Sequence, residues 1–378
     1  MMKRWFLALS GLLAAGLGFS GIAARAAEDL SHHTEVVSEP YVIDRVYKSM
    51  EGPGGAQTFK LAAGDKPELL WVIGGEAAVL DPENVPMKSQ EFLCHANIRF
   101  DPKQFKDQNP NADFDHMTHQ PLKIFNFSQG LTEIRLPRGF GIPVLSTRLF
   151  EFNYGVMNPS EPKQPFAVKV GVTFQYLRDI ELEHELKPLF EWGTWGLTMK
   201  VLVSGSAAHS SHCAIEAGDG SPEAPSGESA QVPTVSLGKI HKNEKGYQQA
   251  YHWMIPPGRH IYRYQLEKSY YSELPFDTTI HYATAHVHPY AEFIELRDLT
   301  TRQSLFKIQI KNSRDGFSIT EIKPFSSEKG LPIYRNHEYE MVCQYNNTTN
   351  HDIDAMAFMF VYLLDRNFDR EELKSKNI

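Results

Sequence analysis

Apolar residues in this chain recur at every second position within short segments, and proline or glycine cuts each segment off before a long helix could form. Leu69 to Leu80, Ser146 to Tyr154, Phe166 to Tyr176, Thr278 to Val287, Ala291 to Leu296, Leu305 to Ile310 and Met356 to Leu364 all read this way. A period of two turns one face of a strand to a core and the other away from it. The Val, Ile, Phe and Tyr that fill these segments suit a pleated, half-buried surface. With 23 Pro and 26 Gly in 378 residues, turns come at short intervals. Helical spacing is confined to Ile180 to Leu189 and Asp369 to Lys376. The pattern predicts an all-β chain of antiparallel β-sandwich type.

The first residues are of another kind. Lys3 and Arg4 precede an apolar run from Trp5 to Phe19, and Ala24-Arg25-Ala26 follows as a small-x-small cleavage pattern. Residues 1–26 read as a Sec-type signal peptide, which predicts a periplasmic or secreted protein. No later stretch is long and apolar enough to be expected to span a bilayer. The formal net charge of −8 comes without a basic patch, so nucleic acid is not an expected partner. Three cysteines, Cys94, Cys213 and Cys343, allow at most one disulfide. Stability must therefore come from core burial. Between Ser204 and Gly238 the residues are mostly Ser, Gly, Ala, Pro and Glu, loop chemistry that reads as an insertion or interdomain linker.

The residues that carry chemistry lie in the second half. His286 and His288 stand two apart in Ala285-His286-Val287-His288-Pro289, and Met356 follows about seventy residues later in Asp354-Ala355-Met356. Residues i and i+2 of a strand share a face. Two imidazoles on one face, joined by a thioether from a neighbouring strand, make a soft, open site suited to copper; structural zinc more often recruits cysteines and closes its shell. The bland reading is a pair of strand histidines with no metal and a methionine that fills a core gap.

Several landmarks in order extend the pattern. Arg135-Leu136-Pro137-Arg138-Gly139-Phe140-Gly141, Phe152-Asn153-Tyr154-Gly155, Met254-Ile255-Pro256-Pro257-Gly258, the His-x-His segment, and Cys343-Gln344-Tyr345-Asn346-Asn347-Thr348 before Met356 together resemble the copper type II, ascorbate-dependent monooxygenases. Peptidylglycine α-hydroxylating monooxygenase and dopamine β-monooxygenase belong to that family. The resemblance runs from about residue 68 to about residue 365. It implies two jelly-roll-like β-sandwich domains facing each other across a solvent cleft, here residues 27–203 and 250–368, with residues 204–249 between them and a tail from 369 to 378. It also implies a catalytic copper held by His286, His288 and Met356, with ascorbate or another external reductant as electron source.

The chain departs from the family at the first-domain copper site. Where the family has paired histidines, this chain has Cys94 and His95, and the later histidine is Asn153. Cys94 can replace a lost ligand, since thiolate binds Cu(I) well, and His116 and His119 are further substitutes. The family's substrate-anchoring arginine is Thr284 here, and the polar residues expected after the methionine are Phe358 and Phe360. An apolar substrate is therefore the expectation, although a peptide or other small molecule remains open. His209, His212 and Cys213 form one more possible metal cluster. His281 is read as structural. Three functions follow: a copper-dependent monooxygenase that hydroxylates a C–H bond, fed directly or by an electron-donor protein; a non-catalytic periplasmic copper carrier; or an interaction module without metal.

Overall fold

A computed structural model describes residues 31–47, 51–64, 66–101, 103–104, 123–196, 199–200, 240–242, 248–250, 252–266 and 274–375. The expected leader, His116, His119 and the His209, His212 and Cys213 cluster lie outside these residues. The chain is all-β and folds as two antiparallel β-sandwiches. Among the described residues no helix is long and apolar enough to cross a membrane.

A ten-stranded sheet runs through both sandwiches. Along it lie His32–Val37, Phe166–Arg178, Leu69–Leu80, Phe140–Leu145, Lys187–Gly196, Ala357–Leu364, Thr278–Val287 and Phe325–Ile333, each bonded to the next. The two halves join through Lys187–Gly196, which pairs in parallel with Phe140–Leu145 on one side and antiparallel with Ala357–Leu364 on the other. Four strands, Gly54–Phe59, Phe150–Val156, Leu93–Phe100 and Lys123–Ser128, cover one end of this sheet. Five strands, Gly258–Gln265, Tyr339–Asn347, Ala291–Asp298, Gln303–Asn312 and Ile319–Lys323, cover the other.

Each cover encloses a core. The first core gathers Val72, Val79, Ile98, Phe125, Phe127, Phe152, Val170 and Phe174; the second gathers Ile294, Leu296, Ile308, Met341, Tyr345, Val361 and Leu363. The two strands at the join feed both. Ala283, Ala285, Val287, Met359 and Val361 point into the second core, while Tyr282, Phe360 and Tyr362, of opposite parity, point into the first. Burial on both faces explains why Ala357–Leu364 is apolar without interruption. Polar bonds also tie the halves: Tyr362 Oη donates to the Ile124 carbonyl at 2.9 Å, and the Ile319 N–H donates to Gln129 Oε1 at 2.8 Å.

Two expectations from periodicity need correction. The segment Ser146 to Tyr154 is not one strand; a turn separates Phe140–Leu145 from Phe150–Val156. Ser146 fixes that turn, with its N–H on the Glu68 carbonyl and its Oγ accepting the Glu68 N–H. Ile180 to Leu189 is not a helix. A single 3₁₀ turn at Asp179–Glu181 leads into the strand Lys187–Gly196, because Pro188 cannot donate within a helix and Leu189 is drawn into the first core. The terminal helix does form, over Arg370–Ser375, where Asp369 Oδ1 accepts the N–H groups of Glu371 and Glu372 as an N-cap.

Candidate metal centre

His286 is the penultimate residue of its strand, and His288 lies just past the strand's end. The parity that sends Tyr282 into the first core also turns His286 toward the first sandwich. Both imidazoles are buried, His286 7% and His288 4% exposed, rather than lining an open cleft. Their ring centroids are 6.1 Å apart. His286 Nδ1 and His288 Nε2 are buried and make no hydrogen bond.

Met356 sits where two strand pairings meet. Ala357 pairs with Val287, and Ala355 pairs with Trp253. Continuing both antiparallel registers by one residue places Met356 between His288 and His252. The His288 N–H to Met356 carbonyl bond of 3.3 Å confirms the first continuation. Met356 is 8% exposed, and its neighbours Ala355, Ala357 and Met359 belong to the second core. Tyr345 locks the backbone here: its hydroxyl donates to the Met356 carbonyl at 2.6 Å and accepts the His288 N–H at 3.2 Å.

The structure adds two residues that the spacing of histidines did not reveal. Asp354 Oδ2 lies 2.9 Å from His288 Nδ1 and 3.1 Å from His252 Nδ1. The donor atoms of His252, His288 and Asp354 all fall within 4.8 Å of one another. Burial alone would raise the Asp354 carboxyl, but the bonds and charges of the two imidazoles outweigh it and hold the group well below the usual carboxylate range. A carboxylate on Nδ1 fixes the tautomer of His288 with the proton on Nδ1 and the lone pair on Nε2, the nitrogen without a partner. That is how carboxylates orient metal-binding histidines. His286 is pushed well below its ordinary value, first by burial and then by its nearness to His288, His95, Lys123 and His252, any positive charge on which repels a proton. It is a neutral donor at physiological pH.

The same charges show that the first half reaches this site. Lys123 lies over the Phe360 ring, its nitrogen 5.0 Å from the centroid, and Phe360 is the cross-strand partner of Thr284. His95 also stands close enough to act on His286. The expected residual copper site takes a different form. His95 Nε2 lies 3.2 Å from Asn153 Oδ1, and His95 Nδ1 lies 3.5 Å from Cys94 Sγ. His95 and Cys94 are thus brought together, with Asn153 in place of a second imidazole. His281 is structural, as expected, with Nδ1 on the Ser327 carbonyl and Nε2 on Thr279 Oγ1. Cys343 is buried and in no disulfide.

No protein-family model matches the sequence, and no curated protein matches it. Among solved structures, the chain is similar to PNGase F, a glycosylasparaginase from Flavobacterium meningosepticum, at 10% identity and a TM-score of 0.32, covering 89% of this chain and 97% of that one. It is also similar to the major capsid protein P2 of bacteriophage PM2, at 7% identity and a TM-score of 0.28, covering 89% of this chain and 100% of that one. A third likeness is to the Sulfolobus Turreted Icosahedral Virus structure, at 7% identity and a TM-score of 0.31, covering 92% and 96%. Likenesses this loose carry nothing about activity.

Proposed function

We propose that this chain is an exported copper protein whose centre is formed by His286, His288 and Met356, working as a monooxygenase-like oxidoreductase on the C–H bond of an apolar substrate. One observation carries the reading. Two neighbouring imidazoles each present a buried, unpartnered nitrogen, and Met356 lies in backbone register with one of them. A buried polar atom without a partner costs about 1–3 kcal/mol, and a soft metal relieves that cost at both imidazoles together. Two imidazoles with a thioether suit copper. Copper there would supply one-electron redox chemistry toward dioxygen. The chain's own groups do the rest: Asp354 orients His288, Tyr345 holds the two strands in register, and burial excludes bulk water. Phe358 and Phe360 leave the neighbouring surface apolar.

The leader-like residues 1–26 support export to the periplasm or beyond. A second reading, a copper carrier without catalysis, draws support from His95 being engaged by Asn153 and Cys94, which leaves no three-histidine site to store a second electron among the described residues. Under either reading an external reductant such as ascorbate, or a donor protein, must reduce the metal.

The test is copper per chain in purified protein, wild type beside His288→Ala. The expected result is one tightly held copper, lost on substitution. Full copper affinity in the variant would refute the site. Ascorbate-dependent oxygen consumption by the loaded protein then separates enzyme from carrier.

A further inference from the structure

Adjacent residues of a regular strand point to opposite faces, so Cys94 and His95 should not meet. They do, because the register of Leu93–Phe100 against Phe150–Val156 shifts between Leu93 and His95. A bulge of this kind re-aims a side chain, and here it brings the Cys94 thiol to His95 Nδ1 at 3.5 Å. The imidazole is seated over Gly155, where a Cβ would stand 2.8 Å from His95 Cε1. Its far nitrogen is held by Asn153 Oδ1 at 3.2 Å. An amide oxygen can only accept, so Nε2 carries the proton and Nδ1 offers its lone pair to the thiol. Across the neighbouring pair, Ser128 is in register with His95. Its Oγ is buried and makes no hydrogen bond.

We propose that Cys94, His95 and Asn153 form a thiol–imidazole–amide triad that accepts an acyl group from a small ester or thioester. Cys94 is the nucleophile, His95 the general base and Asn153 a positioning residue that fixes the ring and tautomer; this is the logic of an activated nucleophile. In the acylation step the thiol proton passes to His95 Nδ1, and sulfur bonds to the carbonyl carbon. Collapse breaks the bond to the leaving oxygen or sulfur, which takes the proton back from His95. Water then attacks the thioester, its proton passes through His95 to the departing Cys94 sulfur, and the free acid leaves. Ser128 Oγ, in register with His95 and without a hydrogen bond, is the donor that would meet the carbonyl oxygen as charge builds on it. No metal or redox partner enters. The thiol also raises its own base: burial works against protonation of His95, but the bonds and charge of Cys94, with the Asn153 bond, outweigh it.

The experiment uses the full processed chain, treated with chelator, and p-nitrophenyl acetate. The expected result is a burst of one p-nitrophenolate per chain and a mass gain of one acetyl group on the peptide that contains Cys94. Cys94→Ala should lose both, with its fold verified by circular dichroism; should it not fold, Cys94→Ser provides the same comparison with a weaker nucleophile. His95→Gln should slow acylation roughly 100-fold or more. Asn153→Ala should slow it about tenfold, and Asn153→Asp should restore it, which a merely structural role would not do. A burst that survives in Cys94→Ala, or acetylation of Cys94 only after denaturation, would overturn the proposal. Because chelator removes copper, failure here leaves the copper reading standing, and failure of copper binding leaves this one standing.

Discussion

Among single residues, His286 has the most distinctive predicted behaviour. Its folded-state value lies well below 6.5, whereas in the unfolded chain it titrates near 6.5. Below that pH the unfolded chain takes up a proton that the folded chain refuses. The contribution of His286 to stability is therefore whole above about pH 6.5 and is lost as pH falls below it. Chelator-treated protein should lose up to about 1.4 kcal/mol per pH unit in that window, read from urea unfolding at successive pH values. His286→Gln should flatten the slope, and a slope unchanged by the substitution would assign the titration to another group. Asp354 yields a second prediction. If it orients His288, Asp354→Asn should weaken copper about 10–100-fold while the copper count stays the same. A change from one copper to none under saturating metal would instead make Asp354 a direct ligand.

At the level of elements, the centre depends on two three-residue strands, Trp253–Ile255 and Ile353–Ala355, paired with each other. Their bond brings His252 to Asp354, and Tyr345 closes the other side. Tyr345→Phe removes the hydroxyl that serves both His288 and Met356, and should cost about 1–3 kcal/mol. It should also loosen copper, which equilibrium unfolding and metal competition would each detect. Sequence periodicity revealed the long strands well; Leu69–Leu80 and Thr278–Val287 have the predicted bounds, since twelve or ten alternating residues leave little ambiguity. It did not reveal His252 or Asp354 as a pair, because three residues carry no period and the partners are a hundred positions apart. The bulge at Cys94 was equally hidden: a register shift belongs to two strands together, and neither strand's sequence alone contains it.

Over the whole molecule, the two sandwiches share one sheet, and that sharing was also illegible, since alternation says which face is buried but not against what. Lys187–Gly196 bonds to strands of both halves, and Tyr282, Phe360 and Tyr362 place second-half side chains in the first core. Calorimetry should therefore show one cooperative transition with calorimetric and van't Hoff enthalpies in agreement. Two separated transitions would mean that the halves are thermodynamically independent despite the shared strand. Residues 27–203 expressed alone should aggregate, because the edge of Lys187–Gly196 that normally meets Ala357–Leu364 would lie open.

The join also fixes when folding can finish. A ribosome makes Lys187–Gly196 long before its partner Ala357–Leu364. The first half therefore emerges with its sheet unfinished and waits for a strand made much later. Pairing so distant in the chain is slow to form. Until then the open strand can pair only with other chains, so the order of synthesis sets the interval in which assembly can go astray.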